Sequence, residues 1–125
     1  KVVPSLVFIH IPMKEYMTGY KNGTRLWGHK FPKEDGTPAV DDNMFETMKK
    51  LGSTKGCYAG HDHMNNFSVE YQGIRLTYGL SCDHNIYMTP FRGGTLLNIK
   101  KDGSFTNQSI IRHRGQRTVT IGKEY

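Results

Sequence analysis

Two histidines one residue apart, His61 and His63, close the run Lys55-Gly56-Cys57-Tyr58-Ala59-Gly60-His61-Asp62-His63. On an extended backbone, side chains at i and i+2 project to the same side. The two imidazoles can therefore meet one metal ion or two neighbouring ones. Neutral imidazole binds zinc, iron, copper and nickel well. His10, which follows the apolar run Leu6-Val7-Phe8-Ile9, is a third candidate ligand. A single histidine is more often structural or solvated, and six occur here. The spacing of His61 and His63 raises the metal reading above that background.

The elements that must position these residues are legible in outline. Leu6-Val7-Phe8-Ile9 reads as a strand buried on both faces, with Pro12 ending its ladder. In open α/β sheets ligands bind beyond the carboxyl ends of strands, which is where His10 stands. Asp41-Asp42-Asn43-Met44-Phe45-Glu46-Thr47-Met48-Lys49-Lys50-Leu51-Gly52 predicts a helix: Asp41 or Asp42 caps it, lysines fill the last turn and Gly52 suits the residue after it. Met44, Phe45, Met48 and Leu51 form its apolar stripe and belong to the core. This helix feeds a strand over 56–59, so His10 and the 61/63 pair are expected at the carboxyl ends of two strands joined by a helical crossover. Residues 14–40 are polar and turn-rich and read as a long loop. Tyr16, Tyr20, Trp27 and Phe31 suggest that this loop packs as a flap beside the site. After Asn66 the pattern is β. Hairpins are expected around Gln72-Gly73 and, more strongly, around Asp102-Gly103, with a further short strand over 117–121. Residues 79–93, with Cys82, Asp83 and His84, read as irregular.

Composition narrows the function. At 125 residues the chain is one domain or a piece of one. Mean hydropathy is −0.59, yet seven Tyr, six Phe and one Trp argue for a packed core. No run reaches the roughly 18 apolar residues of a membrane span. Net charge is +6, and the basic residues are scattered apart from Arg112-His113-Arg114, Arg117 and Lys49-Lys50. That distribution argues against nucleic-acid binding as the main role and suits attraction of a phosphorylated substrate. Cys57 and Cys82 form neither a CxxC pair nor a disulfide framework. Cys57 reads as a small buried hydrophobe, a single Cys57–Cys82 bridge stays open, and neither sets a compartment. The chain opens at Lys1 directly into an apolar run. The expectation is one partial domain over 1–125, either because processing removed an N-terminal part or because it is a fragment of a larger protein.

From the residues alone, several chemistries compete. Three histidines and a water would make a mononuclear zinc hydrolase or hydratase. A cupin-like site wants a Glu a few residues after the histidine pair, but the next one is Glu70, within a strand. A dinuclear hydrolase needs a bridging carboxylate and more acidic ligands than this chain offers at strand ends. The non-enzymatic alternative is a basic β-rich binding module for nucleic acid or protein, with structural histidines.

Phe8-Ile9-His10-Ile11-Pro12-Met13-Lys14-Glu15-Tyr16, then a capped helix ending Lys50-Leu51-Gly52, then Gly60-His61-Asp62-His63-Met64-Asn65-Asn66-Phe67 resembles the C-terminal half of a calcineurin-like metallophosphoesterase. The resemblance is to the branch related to purple acid phosphatases. It implies an α/β fold, a β-sandwich with flanking helices that is β-rich after residue 66, and hydrolysis of phosphate esters at a dinuclear centre of divalent or trivalent ions (Fe, Mn or Zn). It also implies that His10 and His61 ligate one metal and His63 the other, with Asp62 pointing away or orienting a neighbouring ligand, Asn65 supporting the loop, and Glu15 and Tyr16 lining the entrance. The implied partners are a phosphorylated substrate and the N-terminal half of the same domain. The D-x-H, G-D-x-x-D and G-N-H-[DE] motifs of the family are not in these residues, so this segment alone is expected to be inactive or nearly so.

Overall fold

The computed structural model describes residues 2–36, 38–82, 92–113 and 116–121. In chain order the elements are β1 (Ser5–Phe8), α1 (Glu15–Asn22), β2 (Thr24–His29), α2 (Met44–Leu51), β3 (Thr54–Ala59), β4 (Asn66–Tyr71), β5 (Ile74–Tyr78), β6 (Arg92–Ile99), β7 (Phe105–His113) and β8 (Gln116–Ile121). A five-stranded sheet runs β1-β3-β5-β4-β2 and a three-stranded one runs β6-β7-β8. β1, β3 and β5 are parallel, whereas β4 is antiparallel to both β5 and β2. This is a mixed α/β fold, β-rich after residue 66, as expected. None of its described helices is long and apolar enough to cross a membrane.

Alternation along the strands sorts residues into two layers. Cys57 and Ala59, Phe67 and Val69, and Ile74, Leu76 and Tyr78 join Met13, Tyr16, Met17, Phe45 and Met48 in one apolar cluster. Both helices therefore lie on that face. The opposite face is polar yet buried. The Arg75 Nε donates to Ser68 Oγ at 2.8 Å, and the hydroxyls of Ser68 and Thr77 lie 2.8 Å apart. Asn107 Nδ2, from β7, donates to the Tyr58 hydroxyl at 3.3 Å. The second sheet meets the first at this bond, while Asn107 Oδ1 and Ser109 Oγ of β7 are buried without a hydrogen-bond partner among the described residues.

Both hairpins form where the turn residues place them. β4 and β5 meet at Gln72-Gly73, with φ of 48° and 81°, the two positive angles of a type I′ turn. Nothing lies within 4 Å of where a Gly73 Cβ would stand. Gly73→Ala should therefore lose stability through backbone conformation alone, by roughly 1–2 kcal/mol. Urea denaturation measures this, and an unchanged midpoint would contradict it.

Four expectations need correction. β1 is an edge strand, not one buried on both faces: β3 is its neighbour in the sheet order and Phe8 is 67% exposed. Residues 14–40 are not a structureless loop but carry α1 and β2. α1 is only eight residues long and holds Gly19, so it shows little periodicity. α2 starts at Met44, with Asn43 in the left-handed region (φ 56°) at the cap position. Asp42 Oδ1 still accepts from the Met44 N–H and Asp41 Oδ1 from the Asn43 N–H, each at 3.0 Å. Gly52 closes this helix with φ 70°, its N–H bonded to Met48 O. Finally, Leu51 leaves the apolar stripe and is 64% exposed. Cys57 and Cys82 are both free thiols, Cys57 buried as expected.

Candidate metal centre

Parallel register brings the histidines together. Phe8 pairs with Tyr58 across β1 and β3. The ladder continues past the strand ends, with Ile9 N–H donating to Tyr58 O at 2.9 Å and Gly60 N–H to His10 O at 3.1 Å. His10 therefore leaves the sheet beside Gly60, immediately before His61. His10 Nε2 and His61 Nδ1 lie 3.4 Å apart, and the rings meet edge-on at 84°. A first-row cation bound tetrahedrally at about 2.0–2.1 Å separates its nitrogen donors by about 3.3 Å. The nitrogen spacing matches two donors on one such ion, and it equally suits a hydrogen bond between the rings.

The same-side rule for His61 and His63 does not operate here. It requires extended backbone, but β3 ends at Ala59 and His61 has φ 71°. Among the described residues no three His, Cys, Asp or Glu side chains are gathered to hold a metal. His63 is thus near His61 in sequence but is not drawn in with His10 and His61. His29 is exposed at the end of β2. His113 closes β7, and His84 lies outside the described residues.

The loop that carries the pair is anchored from beneath. Asp62 is 6% exposed. Its Oδ2 accepts from Tyr78 OH at 2.5 Å, from Gly36 N–H at 3.0 Å and from Asn65 Nδ2 at 3.1 Å. Burial, and then the hydrogen bond to this carboxylate, hold the Tyr78 phenol far above its ordinary pKa. Asn65, fully buried, also accepts from the Phe31 N–H at 2.7 Å. Glu34 Oε2 accepts from the backbone N–H groups of Met64 and Asn65 at 2.8 and 3.0 Å. Sequence reasoning missed Glu34. It sits in a turn-rich stretch with no spacing that ties it to residues 60–66.

The two residues expected to line the entrance part company. Glu15 opens α1 and is half-buried, and burial raises its carboxyl pKa. Tyr16 is fully buried, its hydroxyl donating to Cys57 O at 2.9 Å and its ring meeting Tyr78 edge-on. It supports the floor of the core and reaches no opening.

No protein-family model matches the chain, and no solved structure matches it at a significant level. Curated relatives do match. Over 84 residues, 67% of this chain, it is 32% identical to probable inactive purple acid phosphatase 14 of Arabidopsis thaliana. Over 89 residues, 69% of the chain, it is 34% identical to probable inactive purple acid phosphatase 29 of the same plant. Probable inactive purple acid phosphatase 28 is 29% identical over 91 residues, 70% of the chain. The chain is purple-acid-phosphatase-like. It spans about a fifth of the length of these relatives, 20 to 22%. The purple-acid-phosphatase-like family is one of phosphoesterases by kinship, and each of the three relatives is named as probably inactive.

Proposed function

We propose that these residues are the histidine-bearing part of a metal-dependent phosphate-ester hydrolase whose centre holds two ions, Fe, Mn or Zn. The observation that carries this is the 3.4 Å approach of His10 Nε2 and His61 Nδ1 at the carboxyl ends of adjacent parallel strands. His10 and His61 would hold one ion through those nitrogens and His63 the other. Polypeptide outside these residues would provide the bridging carboxylate and remaining ligands. When bound, such ions neutralise charge on the phosphoryl group and lower the pKa of the water that attacks it. The chain's own residues orient the donors. Asp62 and Asn65 fix the backbone that carries His61, and the excess of positive charge draws the phosphorylated substrate inward.

A second reading has its own support. The described residues gather two imidazoles rather than a full ligand set, and the relatives carry the word inactive in their names. The protein would then bind metal and phosphate esters without turning them over. Metal analysis and aryl-phosphate hydrolysis by the longer polypeptide that carries these residues separate the two. The hydrolase reading expects two metals per chain and turnover. Metal with tight phosphate binding but no turnover would favour the second, and absence of metal would sink both.

A further inference from the structure

We infer that residues 30–36 form a strap that positions the candidate ligand His61, with Glu34 as its positioning residue. This rests on the proposed metal role of that histidine. His61 adopts φ 71°, a left-handed conformation that costs a non-glycine residue on the order of 1 kcal/mol or more and persists only where its surroundings impose it. Asp62 N–H donates to Gly60 O at 2.9 Å across His61, closing a local turn, and two sets of contacts hold that turn in place. From below, Asp62 accepts its three hydrogen bonds, one of them from Gly36 N–H. From the strap, Glu34 Oε2 takes both the Met64 and Asn65 N–H groups, and Phe31 N–H meets Asn65 Oδ1. Lys30 Nζ donates to Glu34 O at 2.6 Å and to Phe31 O at 3.2 Å, tying the strap to itself.

The fit leaves no slack. A Cβ on Gly36 would stand 2.5 Å from His61 Cδ2 and 2.3 Å from Asp62 Oδ1. The strap backbone therefore bears directly on the imidazole and on the carboxylate beside it. Ligating imidazoles depend on outer groups of this kind for their orientation. Here that support comes from a segment about 30 residues upstream in the chain.

The test uses Glu34→Ala and Glu34→Gln in the longer polypeptide, with Gly36→Ala beside them. The readouts are zinc titration, the NMR contact between the His10 and His61 rings, and amide exchange at Met64 and Asn65. Glu34→Ala should weaken zinc binding by about 10–100-fold, remove the ring contact and expose the Met64 amide, with a smaller change at Asn65, whose N–H also bonds Asp62 O at 3.2 Å, and with exchange in β3–β5 unchanged. Glu34→Gln keeps a carbonyl oxygen for the two N–H groups and should recover most of the loss. Gly36→Ala should break the ring contact while leaving Glu34 bonded. If the ring contact and zinc affinity survive Glu34→Ala, or a lowered melting temperature is its sole effect, the strap is merely structural and the inference fails. Should Glu34→Ala not fold, Glu34→Gln and Gly36→Ala are read on the same quantities. If the unaltered protein binds no zinc, the metal reading falls, while the ring contact and amide exchange still decide on the strap.

Discussion

On the proposed hydrolase reading, replacing His61 by alanine should remove phosphate-ester turnover and lower metal affinity by at least about 100-fold, more than the loss of an outer support. Its melting temperature stays close to that of the unaltered protein. The separation is expected because His61 is exposed. Its ring touches His10, and its left-handed backbone is held by the groups around it rather than by its own side chain. His29→Ala is the matched control: it too is exposed, but it stands at the end of β2, so turnover and metal content should not change. Near-normal hydrolysis of an aryl phosphate by the His61→Ala protein would refute the catalytic reading. Loss of the fold would show that the histidine pair is structural instead.

Phe67→Ala has the largest effect on stability. Phe67 is fully buried on β4, its ring 4.8 Å from that of Tyr20 and 4.9 Å from that of Tyr78. It links α1 to the strand that ends beneath Asp62. Truncating a buried phenylalanine costs about 3–5 kcal/mol, transfer and cavity together, a large share of what a domain of this size possesses. Denaturant titration should show that loss, and the variant should unfold near ambient temperature. Leu51→Ala, at a position 64% exposed, should change stability by less than about 0.5 kcal/mol. Equal effects at the two sites would mean that the core is not where the structure puts it.

The sequence by itself determined the features whose causes are local. Gln72-Gly73 and Asp102-Gly103 specify tight turns by residue type, and the hairpins β4-β5 and β6-β7 follow. The stripe of Phe45 and Met48, with lysines late and Gly52 after, specifies α2 in the same way. His10 and His61 at the ends of two apolar runs were legible as neighbours because strand and crossover geometry leaves few other arrangements. Tertiary structure decided whatever depends on residues far apart in the chain. β1 became an exposed edge because strand order is set by pairing, to which the apolar run Leu6-Val7-Phe8-Ile9 gives no clue. α1 and β2 formed in a stretch without periodicity, because packing on β4 stabilises a short helix that propensity alone would not. Tyr16 went to the core and Asp62 turned inward to Tyr78. Glu34 reached Met64 and Asn65 across about 30 residues. A carboxylate's partner is chosen by where the folded backbone presents N–H groups, and no spacing in the sequence records that.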